Sequence, residues 1–158
     1  MEKTMSVMTP TNVAKEHSEL YRAAIAFSAQ ADTAARDAGL PALLIELIKI
    51  RTSQINGCAF CLRLHTGDAI KKGENSERLA VLPAWRETSY FTEQEQAALS
   101  LSEYVTGISA SHEKRDLYEE AVQVLTSAQV SAVSWVTMGI NTFNRIALTS
   151  AYPVGQTT

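Results

Sequence analysis

The segment Ala42 to Ile55 is apolar on most sides of any helix it forms and far too short to cross a membrane. A run of this kind is stable only as a helix enclosed by other elements, because each apolar side needs a partner away from water. Pro41 precedes it and Asn56-Gly57 breaks it. The rest of the chain supplies helical partners. Residues 14–39 carry Leu20, Ala23, Ala24, Phe27, Ala31 and Ala34 at helical intervals and end at Gly39. A third helix is expected from Gly57–Ala59 to about Gly73, with Lys71 and Lys72 in its last turn.

After a loop containing Pro83, Thr92 and Glu95 have the spacing of a capping box and open a helix to Gly107. Ser111 to Leu125 reads as a fifth helix, and Ser127 as the cap of a long sixth. In that sixth helix Val130, Val133, Thr137, Ile140, Asn144 and Ala147 keep the helical period, which outweighs the strand preference of its branched residues. No convincing strand alternation occurs anywhere. The expected fold is therefore all-α, a compact bundle of about six helices with short connections, in one domain spanning 1–158 with its core at about 15–150. Tyr90-Phe91 has no assignment.

Composition narrows the function classes. The 158 residues are 46% hydrophobic with seven Gly and four Pro, the profile of an ordinary globular chain. A net charge of −3 with scattered Lys and Arg offers no basic stripe for a phosphate backbone, so no nucleic-acid partner is expected. The opening MEKTMSVMTPTNVAKEHSEL lacks an apolar leader core, and no run reaches transmembrane length; a cytoplasmic protein without a membrane partner is the expectation. In that compartment thiols are held reduced, and a close cysteine pair is catalytic, redox-sensing or metal-binding. Both cysteines fall in one C-x-x-C, Cys58 and Cys61.

On a helix, positions 58, 61, 65, 68 and 72 share one stripe. Cys58 and Cys61, one turn apart, can close a disulfide with modest adjustment, and His65 lies one turn beyond Cys61, where it can take a proton. A thiolate is the nucleophile, and free cysteine is mostly protonated at neutral pH, so the helix N-terminus and a protonated His65 are expected to lower the thiol pKa. Glu46 sits in PALLIELIKI, seven of whose ten residues are apolar; burial there is expected to raise its pKa and tune it as a general base. Its helical face also carries Leu43, Leu47 and Ile50, which aims it at the interior and the next helix. Zinc held by Cys58, Cys61 and His65 is the competing reading, but no fourth ligand has a supporting spacing, and no cofactor or metal is expected. His17 and His112 receive no role. Asp68 near Lys71 and Lys72 reads as a surface ion-pair former, Trp85 as a residue sealing its loop, and Asn141, Asn144 and Arg145 as structural hydrogen-bonding groups.

Glu46, Cys58, Cys61 and His65, in that spacing, resemble the signature of the AhpD-like alkylhydroperoxidases of the carboxymuconolactone decarboxylase family. The likeness continues in NGCAFCLRLHTGDAIKKGE, LPAWRETSYFTEQEQAALSLSEYVT and INTFNR, over roughly residues 15–150. It implies an all-helical subunit assembling as a trimer or hexamer, with the active site close to a subunit interface. It also implies an oxidoreductase that reduces small hydroperoxides through a C-x-x-C disulfide cycle, with a dithiol such as a lipoylated protein as reductant. By resemblance Cys61 is the peroxidatic cysteine, Cys58 the resolving one, His65 a relay member and Glu46 the base at its far end. The residues alone leave the order of the cysteines open, since Cys58 lies nearer the helix N-terminus and His65 nearer Cys61. Phe60 departs from the pattern, standing where the best-studied members carry histidine. A ring-lactone decarboxylase, as in the wider family's name, does not rely on a vicinal thiol pair; a non-enzymatic redox sensor would use the same disulfide without turnover.

Overall fold

The structure is a computed structural model describing residues 9–155, of which 111–113 by backbone only. His112 and the first eight residues of the opening therefore lie outside the described side chains. Among the described residues there are helices and no strand: α1 Val13–Glu16, α2 Ser18–Asp37, α3 Ala42–Asn56, α4 Ala59–Lys71, α5 Ser76–Val81, α6 Glu93–Thr106, α7 Arg115–Val124 and α8 Ser127–Thr149, with 3₁₀ turns at Leu82–Glu87 and Ile108–Glu113. The all-α class follows the sequence expectation; the count is eight α-helices, two more than the six expected.

The core is built around α3. Leu44, Leu47, Ile48 and Ile50 are fully or almost fully enclosed, each contributing roughly 1.5–3 kcal/mol relative to exposure. The helix packs on α4, α6 and α8, and α8 in turn packs on α2. Along α8, Val133, Thr137, Ile140, Asn144 and Ala147 are buried as the periodicity required. The α6 capping box at Thr92 and Glu95 is also formed, both halves present.

The differences from expectation have local causes. His17, at φ −129° and ψ 67°, interrupts the first helix, and Ser150 at the far end of α8 accepts the Val13 N–H at 3.1 Å. The turn α5 and the 3₁₀ segment after it occupy what the sequence suggested was loop; each is six residues long, too short to show a helical period. A 3₁₀ turn takes up the residues before Arg115, so α7 starts four residues later than expected from Ser111. Thr126, not Ser127, caps α8, because its hydroxyl accepts from Gln129 N–H while the Gln129 side chain answers the Thr126 N–H. Phe91 is buried beneath the Arg78 guanidinium, 4.8 Å from the ring centre, which gives the unassigned 90–91 region a packing role. No helix among the described residues is long and apolar enough to cross a membrane.

Gly57 ends α3 in the left-handed region at φ 68°. A methyl group added there meets nothing within 4 Å, so the cost of a side chain is conformational alone. Gly57→Ala is expected to lower the unfolding free energy by about 1–2 kcal/mol, measured by urea denaturation. An unchanged midpoint would contradict the left-handed backbone at this turn.

Candidate active site

The turn between α3 and α4 places both thiols. With Gly57 left-handed, the Cys58 N–H reaches back to the Ser53 carbonyl at 3.0 Å. Cys58 itself is extended and caps α4, its sulfur accepting the Cys61 N–H at 3.3 Å. Both cysteines are unbridged and buried. The α4 amide expected to favour a thiolate thus serves the Cys58 sulfur.

Burial pushes the Cys61 thiol well above its ordinary range, and the adjoining Cys58 sulfur pushes it further. Sequence reasoning expected the opposite direction. It credited the helix terminus and His65 and did not foresee how completely the pair is removed from water. A hydrogen bond from Asn144 pulls the other way without prevailing.

Glu46, from the middle of α3, is buried and reaches α4 with both oxygens. His65 Nδ1 lies 2.9 Å from Oε2, and the Lys72 ammonium is hydrogen-bonded to Oε1. Burial alone would raise the Glu46 pKa; the hydrogen bonds from His65 and Lys72, with the charge of Lys49 nearby, overturn it and hold the carboxyl at about 2. The expectation of a raised value is therefore corrected, because the hydrogen bonds of His65 and Lys72 to Glu46 and the nearby charge of Lys49 were not foreseen by sequence reasoning. An ionised carboxylate only accepts hydrogen bonds, so Nδ1 of His65 carries the proton it shares with Glu46. A neutral His65 then keeps its Nε2 lone pair free.

Cys61 and His65 line one cavity of about 190 Å³ with Lys49, Phe60, Phe143 and Tyr152. Cys58 is not part of this lining. The Phe60 ring stands edge-on to Tyr152, centres 5.1 Å apart, and the tail carrying Tyr152 is tied to α4 by an Arg63 hydrogen bond to the Gly155 carbonyl. Lys49 is buried and ion-paired with Asp32 at 2.6 Å.

All four residues singled out in the sequence, Glu46, Cys58, Cys61 and His65, thus converge on the α3–α4 junction. Lys49 and Tyr152 were missed; Lys72 was placed on the stripe and Asn144 read as a structural amide, without a part in the site. Lys49 stands one turn from Glu46, a usable signal, whereas Tyr152 reaches the site only through the return of α8. Asp68 is the remaining ionisable neighbour; its carboxylate, Glu46 and His65 have ligand atoms within 4.8 Å of one another. That set differs from the cysteine-based zinc reading, and the Lys72 ammonium already satisfies one Glu46 oxygen. Trp85 and Arg86 lie elsewhere, bonded to Glu103 with the guanidinium stacked on the indole.

The depressed Glu46 pKa has a thermodynamic sign. A carboxyl held at about 2 in the folded state, against an ordinary 4.5, stabilises the fold fully above 4.5 and loses that contribution as pH falls from 4.5 toward 2. The stability difference between the native protein and Glu46→Gln, from urea midpoints, is expected to be constant near neutrality and to shrink across that window. Parallel curves down to pH 2 would contradict the ionised, hydrogen-bonded carboxylate.

The comparisons with known proteins bear on this geometry. The model of the carboxymuconolactone decarboxylase family matches residues 18–104, which contain all four residues. The uncharacterised protein YdfG of Bacillus subtilis (strain 168) is 42% identical over 103 residues, 65% of this chain and 70% of that protein. A crystal structure from Agrobacterium tumefaciens, of a protein of unknown function proposed as the antioxidant defence protein AhpD, superposes with a TM-score of 0.80 at 31% identity, covering 94% of this chain and 100% of that one. The chain belongs to the carboxymuconolactone decarboxylase family and has the AhpD-like fold.

Proposed function

We propose that this protein is a thiol-dependent peroxidase that reduces organic hydroperoxides through a Cys58–Cys61 disulfide cycle. The observation that carries the reading is the placement of Cys61 and a carboxylate-oriented His65 on the wall of the same small, largely apolar cavity. Cys58 lies behind it, beside Cys61.

A hydroperoxide enters this cavity, and His65 Nε2 takes the Cys61 proton as the sulfur attacks the outer peroxide oxygen. The O–O bond breaks, Cys61 becomes a sulfenic acid, and the alkoxide leaves as alcohol with the proton returned from His65. The Cys58 thiol then condenses with the sulfenic acid, releasing water and forming the disulfide. A dithiol reductant, with a lipoylated protein as the candidate the family likeness suggests, returns both thiols. Because Cys61 is a reluctant acid, attack depends on the base, and His65 is the group placed to supply it. Glu46 orients His65 and stabilises its protonated form, in place of the relay-base role inferred from resemblance.

The same reading includes a cytoplasmic homo-oligomer, a trimer or hexamer. It is supported by large apolar side chains left exposed on α2 and α8, among them Leu20, Trp135 and Met138. Association removes such surface from water.

Consumption of cumene hydroperoxide with dihydrolipoamide tests the reading. Turnover is expected to be abolished in Cys58→Ser and Cys61→Ser, and to fall about 10²- to 10⁴-fold in His65→Ala. Activity that survives Cys61→Ser would overturn it. Intact thiols without turnover would favour a redox sensor.

A further inference from the structure

The proposed chemistry leaves Lys49 without a task, although it stands on the wall of the cavity that holds Cys61 and His65. It is 7% exposed, and an ammonium so enclosed is retained only with a partner. That partner is Asp32 of α2, whose Oδ2 lies 2.6 Å from Nζ. An ammonium has three protons to give, and Asp32 is its one hydrogen-bond partner among the described residues. Asp32 Oδ1 is buried and has no hydrogen-bond partner among them. The pair keeps unused hydrogen-bonding capacity beside a cavity that already contains a thiol and its base.

The walls of that cavity divide by element. The helix α4 brings Cys61 and His65; the rest of the lining comes from α2, α3, α8 and the tail. In that remainder Lys49 carries the only charge, beside the hydroxyls of Tyr21, Ser28 and Tyr152. Displacement at a peroxide is in line, so the leaving oxygen lies on the side of the outer oxygen away from the attacking sulfur. Negative charge therefore develops toward the groups that face α4 across the cavity. An alkoxide is a poor leaving group, and apolar walls do nothing to stabilise it. In a cavity of about 190 Å³ an oxygen bound at Cys61 stays close to every wall.

We propose that Lys49 is a catalytic residue of this site: its ammonium, anchored by Asp32, donates a hydrogen bond to the inner oxygen of the hydroperoxide and stabilises the alkoxide as the O–O bond breaks. The role rests on the peroxidase reading and deepens it. Lys49 keeps its protons throughout. The Cys61 sulfur bonds the outer oxygen, the O–O electron pair goes to the leaving oxygen, and the proton that completes the alcohol is the one His65 took from Cys61. A donor buried and ion-paired beforehand needs no reorganisation as the charge appears. The charges around the cavity also pair off, Lys49 with Asp32 and Lys72 with Glu46, which suits an uncharged alkyl hydroperoxide better than an anionic one.

The test separates leaving groups. Reduced protein in excess is mixed with cumene hydroperoxide or with peracetic acid, and loss of the oxidant is followed by stopped flow. Acetate is a weak base and leaves without a donor, whereas the cumyl alkoxide does not. Lys49→Met combined with Asp32→Asn removes both charges, so no buried carboxylate is left unpaired. This double variant is expected to react about 10²-fold more slowly than the native protein with cumene hydroperoxide, and within about threefold of it with peracetic acid. Equal slowing with both oxidants, the mark of a distorted thiol site, would overturn the role, as would unchanged rates. Should the double variant fail to fold, Lys49→Gln keeps a hydrogen bond to Asp32 without the charge and is expected to show the same split at about tenfold. Absence of a split there would overturn the role equally. A native protein inert to both oxidants would instead overturn the peroxidase reading, and the Lys49 role with it.

Discussion

A charged carboxylate in the middle of the most enclosed helix is the constraint on which the site depends. Glu46 lies among Leu44, Leu47 and Ile48, and leaving its charge there unpaired would cost several kcal/mol. The pairing comes from His65 on α4 and from Lys72, which caps the end of that helix. Meeting both oxygens fixes the rotation of α4 against α3. Cys61, one turn before His65, is thereby turned into the cavity, while Cys58 at the helix start stays behind it. The charge that is costly to bury thus sets the register of the chemistry.

Much of this was legible in the sequence because it depends on local spacing. The burial of α3, the shared face of Cys61 and His65, the Thr92 capping box and the inner face of α8 are consequences of helical period and cap chemistry, and the structure follows them; Cys58, read on the same stripe, is instead the extended cap of α4. The short turns at 76–87 were not legible, since six residues hold less than two turns of periodicity. Thr126 and Ser127 are both competent caps, and only the reply of Gln129 chooses between them. Leu20 was read as part of an inner stripe and lies mostly exposed, because periodicity marks an apolar face without naming what covers it.

At the site, residue types were readable and electrostatics were not. Both pKa expectations came out reversed for one reason: each depends on which groups the tertiary fold brings within a hydrogen bond. Hydrogen bonds from His65 and Lys72, with the charge of Lys49, lower Glu46 against burial, while beside Cys61 burial and the neighbouring sulfur prevail. Lys72 stands 26 positions from Glu46. The resulting pair, a strong anion orienting an imidazole and a reluctant thiol facing it, is chemically coherent: ionisation of the sulfur is coupled to its base. Phe60 and Tyr152 close the cavity with aromatic edges, giving the residue between the cysteines a wall position where a histidine would add a proton carrier.

The central claim is that Cys61 attacks and Cys58 resolves within one subunit. It is tested most directly by a single turnover, mixing the reduced protein with one equivalent of cumene hydroperoxide, quenching, and mapping the modified cysteines by mass spectrometry with dimedone as the sulfenic-acid trap. One Cys58–Cys61 disulfide per peroxide consumed, and a dimedone adduct on Cys61 in Cys58→Ser, is the predicted result. A dimedone adduct on Cys58 in Cys61→Ser with none on Cys61 in the reciprocal variant, or peroxide loss without thiol oxidation, would contradict it.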